Sequence, residues 1–213
     1  MIPEITGSLL LIGNGPSAAK GELGKEIDEF DDIIRFNLYQ VEGYEDSVGS
    51  RTTFWATTGR DQYPRKADPP EKILLTHGGA KVKTGPGEHI IYRVPYAFHQ
   101  EKRKLVQGIG EMHGHEKSKG LLPSSGLLAI TWLLDVAKVK KLTLHGFDFF
   151  SKKESGQHHY WVKGSFIPPV EHYGAAEALI LKTYGDKINF LTKQSELQLS
   201  PKDSDWVKQN NNA

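Results

Sequence analysis

Residues 8–18 read Ser-Leu-Leu-Leu-Ile-Gly-Asn-Gly-Pro-Ser-Ala, and this stretch decides the fold. A short apolar run that ends in a glycine turn is typical of a buried strand entering a tight loop. A short helix is expected after the turn, over Ala18–Glu29. A buried strand, a glycine turn and a helix in this order indicate the first unit of an α/β sheet.

Beyond this unit, strand-like and helix-like patterns alternate along the chain. Alternation of this kind predicts a mostly parallel sheet with helices on both faces. We therefore expect one Rossmann-like α/β/α domain over residues 1–199, followed by a polar, frayed tail over residues 200–213. The expected strands are Ser8–Ile12, Ile33–Asn37, Thr52–Thr57, Lys72–Thr76, His89–Tyr92, Lys141–His145 and Ile188–Leu191, and the later helices are Phe98–His113, Leu127–Ala137 and Gly174–Tyr184.

Composition excludes several classes of protein. The net charge of +1 over 213 residues gives no global field that would attract nucleic acid. The chain has no cysteine, so it can form neither a disulfide framework nor a thiolate metal site. No apolar run approaches the ~20 residues of a membrane-spanning helix, and residues 1–8 lack the pattern of a signal peptide. These features predict a cytoplasmic protein that touches membranes peripherally at most.

Polar residues follow three of the expected strands. Ligands of parallel α/β sheets bind beyond the carboxyl ends of the strands. The turns after the first, second and sixth strands are therefore the candidate sites of chemistry. They hold Asn14 and Ser17, then Asn37, then the turn Gly146-Phe147-Asp148, in which Asp148 is placed to reach a ligand.

The first glycine turn has three interpretations. Gly13-x-Gly15-x-x-Ala18 fits the loose dinucleotide pattern, but Asn37 stands where the ribose-binding acidic residue is expected. The turn could also carry no ligand. The third interpretation is a phosphate or nucleotide at the N-terminus of the following helix, where backbone N–H groups and the helix dipole attract anions.

Four motifs occur in one order along most of the chain. They are residues 12–37 (IGNGPSAAKGELGKEIDEFDDIIRFN) with 43–55 (GYEDSVGSRTTFW), residues 121–134 (LLPSSGLLAITWLL) with 142–150 (LTLHGFDFF), residues 158–161 (HHYW), and His172-x4-Glu177. They resemble the large, small, third and very small sialylmotifs of glycosyltransferase family 29. The opening Gly-Asn-Gly-Pro-Ser also resembles bacterial sialyltransferases of family 42. Family 29 enzymes usually join the large and small motifs by a disulfide, which this chain lacks.

The resemblance implies a sialyltransferase-type variant of the GT-A fold and a role for each matching residue. The expected reaction moves a nonulosonic acid from its CMP ester to a hydroxyl of a glycan or glycolipid. Expected at the donor nucleotide and sugar carboxylate are Asn14, Asn37, Ser124, Ser125, Gly126, Gly146 and Phe147, and expected in catalysis are His159 at the leaving phosphate, His172 as the base and Glu177 as the acidic residue of the very small motif.

The residues themselves favour metal-independent chemistry without a cofactor. The sole Asp-x-Asp pair, Asp203 and Asp205, lies in the polar tail, where a rigid metal site is not expected. The N-terminus of the helix after Ser124, together with His159, would then neutralise the leaving phosphate. A histidine such as His172 suits removal of the acceptor proton, a role that contributes ~10²–10⁴-fold. Direct attack by the acceptor inverts the anomeric centre.

Several alternatives remain open from the sequence. CMP-Kdo would present the same groups as CMP-sialic acid, the glycine turn could serve a dinucleotide-dependent oxidoreductase, and an inactive CMP-binding module would keep the same motifs. Glu177 could orient His172 or cap local backbone, and His158, His159 and His172 could instead hold zinc. The acceptor and the oligomeric state have no readable signal. A structural role is expected for His145, and surface or loop positions for His77, His89, His99, His113 and His115.

Overall fold

The computed structural model describes residues 1–59, 70–77, 88–149, 159–162, 171–192 and 199–211. These residues form one seven-stranded sheet in which all neighbouring strands pair in parallel, in the order β5-β4-β3-β2-β1-β6-β7. The α/β class with a parallel sheet, predicted from the sequence, is confirmed. The strands are β1 (Leu9–Ile12), β2 (Asp32–Phe36), β3 (Phe54–Thr57), β4 (Lys72–Leu75), β5 (Ile90–Arg93), β6 (Leu142–His145) and β7 (Ile188–Phe190).

Helices cover both faces of the sheet. They are α1 (Gly24–Asp28), α2 (Glu45–Val48), α3 (Tyr96–Met112), α4 (Ser125–Asp135), α5 (Gly174–Lys182) and α6 (Pro201–Gln209). Side chains of a strand point alternately to the two faces, and β1 shows the consequence. Leu9 and Leu11 pack into the large core beneath α3, α4 and α5, while Leu10 and Ile12 pack into a smaller core with residues of α1 and α2.

The strand order reverses at β1, and this reversal positions the site. From β1 the chain adds β2 to β5 on one side of the sheet and β6 and β7 on the other. Loops that leave neighbouring strands in opposite directions open a crevice at the carboxyl edge of the sheet. The crevice is therefore expected at the carboxyl edge of the sheet, beyond the turns after β1 and β6, which pack on each other.

The first helix differs from the prediction. The sequence suggested one helix over Ala18–Glu29, whereas the structure has a 3-10 turn at Pro16–Ala19 and then the short helix α1. Lys20 is extended and Gly21 adopts φ +86°, a left-handed conformation that interrupts a right-handed helix. Gly21 therefore divides the predicted helix.

The C-terminal residues also differ from the prediction. Residues 201–209, expected to form a frayed tail, are the helix α6. Ser200 and Asp203 form a reciprocal capping box, and Pro201 occupies the first turn, where its missing N–H costs nothing. Because the segment is polar throughout, its composition did not indicate a helix, although its first residues form a complete N-terminal cap.

Two histidines expected at the surface are also part of the packed structure. His99 is 7% exposed on α3. His113 caps the C-terminal end of α3 and forms hydrogen bonds with both ring nitrogens. The prediction of His145 as a structural residue agrees with its burial and with the hydrogen bond from its Nε2 to the carbonyl oxygen of Ala18 at 3.0 Å.

Candidate active site

Asn14 and Asn37 follow β1 and β2, at the carboxyl edge of the sheet. Asn14 Nδ2 donates to the carbonyl oxygen of Phe36 at 3.0 Å, which ties the end of β1 to the end of β2. Asn37 adopts φ +50°, a left-handed conformation that asparagine tolerates better than most residues. Its Oδ1 accepts a hydrogen bond from the backbone N–H of Thr58 at 3.3 Å. Both side chains are thus held in place by neighbouring backbone.

The first glycine turn packs directly on the turn after β6. Gly13 N–H donates to the carbonyl oxygen of His145 at 2.7 Å, and Gly15 N–H donates to that of Gly146 at 3.0 Å. A Cβ atom on Gly13 would clash with the carbonyl oxygen of Gly146. The glycines are required because the two backbones approach each other closely here.

Asp148 binds the residue that was expected to meet a phosphate. Its Oδ2 accepts the backbone N–H of Ser17 at 2.9 Å. A phosphate at the Ser17 N–H would have to displace this carboxylate, so the geometry argues against an anion at this position. Two buried oxygens of this turn, Ser17 Oγ and Asn14 Oδ1, have no hydrogen-bond partner among the described residues.

The start of α4 is fixed by Glu177. The carboxylate, 3% exposed, accepts the backbone N–H of Ser124 at 2.7 Å and its Oγ–H at 2.6 Å. The same Oγ accepts the N–H of Leu127 at 3.1 Å and so caps the helix. Burial raises the pKa of Glu177, an effect opposed by the hydrogen bonds from Ser124 and by the charge of His172. Of the two predicted roles for Glu177, the geometry favours holding local backbone.

His172 lies beside the same segment. Its Nδ1–H donates to the carbonyl oxygen of Leu122 at 3.0 Å, and the N–H of Leu122 donates to the carbonyl oxygen of Glu171 at 2.7 Å. Because a carbonyl oxygen can only accept, this contact places the proton of a neutral ring on Nδ1. Nε2 is then the nitrogen that can take up a proton, as a general base requires.

Ser125, Gly126 and Phe147 join α4 to its neighbours. Ser125 Oγ accepts from the hydroxyl of Thr76, which follows β4, at 3.2 Å. A Cβ atom on Gly126 would lie 2.8 Å from the ring of Phe147. That ring also meets Phe36 edge to face, with 5.8 Å between centroids. The predicted small-motif residues therefore pack on both the β4 and the β6 side of the crevice.

The third motif reaches the turn after β1. Tyr160 N–H donates to the carbonyl oxygen of Asn14 at 3.1 Å, and the Tyr160 hydroxyl donates to that of Gln40. His159 stacks on Trp161 with 4.7 Å between ring centroids. Burial raises the pKa of Tyr160 to about 12, so its hydroxyl stays neutral and able to donate. His158, required for the zinc alternative, lies outside the described residues, and that alternative stays a prediction.

Arg35 supports the site and was not predicted to do so. The side chain is 0% exposed and donates from Nη2 to the carbonyl oxygens of Val48 and Gly49, at 2.6 and 3.1 Å. Burial lowers the pKa of this guanidinium. A cation bonded to backbone carbonyls stiffens the segment between β2 and β3, which begins at Asn37. The signal available in the sequence was a charged residue inside an otherwise apolar strand.

Comparison with known proteins gives the same family as the motifs. Residues 10–67 match the model of glycosyltransferase family 29 (sialyltransferase). The chain is 28% identical over 179 residues to the type 2 lactosamine alpha-2,3-sialyltransferase of Homo sapiens, a match that covers 71% of this chain and 53% of that protein. It is 26% identical over 198 residues to the CMP-N-acetylneuraminate-beta-galactosamide-alpha-2,3-sialyltransferase 1 of Gallus gallus, covering 84% of this chain and 56% of that protein. The chain thus spans about half the length of the relatives it matches.

Solved structures share the fold. A mammalian sialyltransferase in complex with Gal-beta-1-3GalNAc-ortho-nitrophenol superimposes with a TM-score of 0.57 at 19% identity, covering 88% of this chain and 70% of that one. The sialyltransferase CST-II in complex with CMP superimposes with a TM-score of 0.50 at 14% identity, covering 97% and 100%. The matches in sequence confirm the resemblance of this chain to the sialyltransferases of glycosyltransferase family 29, and the superpositions show that it has a sialyltransferase fold.

Proposed function

We propose that this protein transfers a sialic acid from its CMP ester to a hydroxyl group of a glycan. The observation that carries the proposal is the meeting of all four motifs at one edge of the sheet. Asn14 and Tyr160 join the first and third motifs by a backbone hydrogen bond, and Ser124 and Glu177 join the second and fourth. Four separated stretches that converge in space indicate one shared ligand.

The donor is proposed to lie across the crevice, with its anionic groups at α4. This helix has 11 residues, and its N-terminus is fixed by Ser124 and Glu177. The helix dipole and the backbone N–H groups of the first turn favour the binding of a phosphate or a carboxylate. Asn14 and Asn37 line the β1 and β2 side, where the nucleoside is expected.

Loss of the CMP leaving group is proposed to need neither a metal nor a cofactor. As the glycosidic bond to phosphate breaks, negative charge develops on the phosphate oxygens. The N–H groups at the start of α4 and the imidazole of His159 are the donors proposed to stabilise that charge. Donors already aimed at a developing charge are each worth about 3 kcal/mol in the transition state.

His172 is proposed to remove the acceptor proton. The hydrogen bond to Leu122 fixes the ring so that Nε2 accepts the proton as the hydroxyl attacks. Attack on the face opposite the phosphate gives inversion at the anomeric carbon. The relatives are named for transfer to lactosamine and galactosamide units, so a galactoside is the proposed acceptor class.

Purified protein tests the proposal with two donors and lactose as the acceptor. We expect transfer from CMP-sialic acid, release of CMP, and unchanged turnover in EDTA. Transfer from CMP-Kdo alone would assign the alternative donor, while CMP binding without transfer from either donor would indicate an inactive binding module. Binding of NAD but not of CMP would contradict the proposal altogether.

The place of action remains a proposal as well. Among the described residues, no helix has the length and apolar character that crossing a bilayer requires. A cytoplasmic location with peripheral membrane contact, expected from the sequence, can be tested by fractionating cells that express the protein.

A further inference from the structure

A chain of hydrogen bonds connects the C-terminal helix to the residue next to His172. Asp203, on the first turn of α6, accepts from His113 Nε2 at 2.7 Å through its Oδ1. His113, at the end of α3, meets the hydroxyl of Tyr173 at 2.9 Å through its Nδ1. Tyr173 is the residue before α5 and follows His172 directly. The contact therefore runs from α6 through α3 to the segment that carries the proposed base.

The chemistry of the three groups sets the direction of the hydrogen bonds. Burial works against ionisation of Asp203, but hydrogen bonds from His113 and Ser200 prevail and lower the pKa of the carboxyl. An ionised carboxylate can only accept, so Nε2 of His113 carries a proton. Nδ1 of a neutral His113 then accepts from Tyr173. Burial and the charge of Asp203 raise the pKa of Tyr173, so its hydroxyl keeps the proton that it donates.

The three side chains of this hydrogen-bond chain are largely buried and packed against each other. The side chains of His113 and Asp203 are 20% and 15% exposed. The rings of His113 and Tyr173 meet edge to face, with 5.7 Å between centroids. Asp203 Oδ2 accepts a hydrogen bond from the hydroxyl of Ser200 at 2.8 Å. One oxygen of the carboxylate therefore belongs to the capping box, and the other, Oδ1, bonds to His113.

The hydrogen-bond chain is linked to His172 because Tyr173 is the next residue along the backbone. On one side of Tyr173, His172 bonds to Leu122. On the other side, Gly174 packs so closely that a Cβ there would lie within bonding distance of the Phe149 carbonyl oxygen. The Tyr173 hydroxyl is a third anchor, and it fixes the peptide between the other two. A catalytic group loses rate steeply when misplaced, by about 10²-fold for an error near 1 Å.

We propose that Asp203, His113 and Tyr173 are positioning residues for His172. In this proposal, which rests on the proposed function, α6 sets the orientation of the base without touching substrate. It also gives Asp203, set aside in the sequence as part of an Asp-x-Asp pair without a metal, a defined task.

Point variants of the full-length protein test the proposal by kinetics. Tyr173→Phe removes one hydroxyl, and we expect kcat to fall about tenfold, while the Kd for CMP stays within about twofold, since only the base is misplaced. Asp203→Ala should give a similar loss. The double variant should be no worse than the poorer single variant, because both changes break one chain.

Two matched variants separate this effect from loss of helix α6. Asp205→Ala removes the neighbouring carboxylate, which is 68% exposed and pairs with Lys208. Ser200→Ala weakens the capping box but leaves the contact between Asp203 and His113. We expect both to retain kcat. Wild-type kcat in Tyr173→Phe, or an equal loss in Asp205→Ala, would overturn the proposal.

Nuclear magnetic resonance of ¹⁵N-labelled histidine supplies a readout that needs no turnover. In the wild-type protein the His172 signals should show a single tautomer with the proton on Nδ1. Tyr173→Phe should give a mixture of tautomers, and an unchanged spectrum would contradict the positioning role. If wild-type protein shows no transferase activity but this spectral change is present, the proposed reaction fails while the structural link stands.

Discussion

At the scale of single residues, the site depends on two nitrogens of one imidazole. The carbonyl oxygen of Leu122 holds the proton on Nδ1 of His172, and Nε2 is the nitrogen proposed to take the proton from the glycan hydroxyl. The sequence identified the residue through its motif. The sequence could not identify the tautomer, because the carbonyl group that accepts the hydrogen bond, that of Leu122, lies fifty positions away in the chain.

His172→Ala removes the proposed base and tests this assignment. We expect turnover to fall about a hundredfold or more, in keeping with loss of general-base catalysis. CMP affinity should persist, because the proposed donor contacts lie after β1 and β2 and at the start of α4. The measurement is kcat with saturating donor, alongside calorimetric titration with CMP. Unaltered kcat would remove His172 from the mechanism.

Asn37→Ala tests the nucleotide position. Asn37 stands at φ +50°, and its side chain accepts the N–H of Thr58, so the change removes both a ligand group and a local support. We expect the Kd for CMP to rise about tenfold, the equivalent of one lost hydrogen bond of about 1.4 kcal/mol. Asn189→Ala, on the last strand, is a matched control. Equal affinities in the wild-type protein and Asn37→Ala would place the nucleotide elsewhere.

At the scale of secondary-structure elements, the contact between α4 and α5 fixes the start of α4. Glu177 of α5 is buried against the capping residue of α4. Sequence reasoning placed both residues in motifs and left two roles open for the glutamate. Only the packing of the two helices could choose between them.

Glu177→Ala should destabilise the protein strongly. The change leaves the N–H and hydroxyl of Ser124 buried without their partner, at a cost of about 1–3 kcal/mol for each such group. Glu177→Gln keeps an acceptor and a similar volume, so its loss should be smaller. Urea denaturation followed by circular dichroism compares the two. A Glu177→Ala protein as stable as the wild type would contradict the anchoring role.

Sequence patterns predicted elements well where one local signal decides the structure. Apolar runs marked all seven strands to within two residues at each end. The prediction of one helix after β1 was wrong, because the sequence does not show that Gly21 adopts a left-handed conformation that ends the helix. The helix α6 was missed because a capping box among polar residues was interpreted as a tail. The pairing of Asp148 with Ser17 spans 131 positions, and no local pattern encodes such a contact.

At the scale of the whole molecule, buried ionisable groups make stability depend on pH. Burial is the main reason that the pKa of His145 is lowered from 6.5, and hydrogen bonding to Ala18 opposes it. The unfolded chain therefore binds this proton more readily than the folded protein. The stability contribution is complete above the unfolded pKa and is lost as the pH falls through the folded pKa.

This linkage predicts a lower urea midpoint at pH 5 than at pH 7. The slope from one such histidine is at most about 1.4 kcal/mol per pH unit. His145→Gln keeps a donor for Ala18 but cannot titrate, so the difference between the two pH values should shrink in this variant. Comparing the two proteins removes the contribution of carboxylates such as Glu177, which acts in the opposite direction. An identical pH response in both would show that His145 is not the titrating group.

The contact between Gly126 and Phe147 has a consequence for redesign. The helix start and the turn after β6 touch where a methyl group on the glycine would strike the aromatic ring at 2.8 Å. Neither position can be enlarged by itself without moving the other. A larger residue at position 126 therefore requires a smaller side chain at position 147, and the two positions have to be redesigned together.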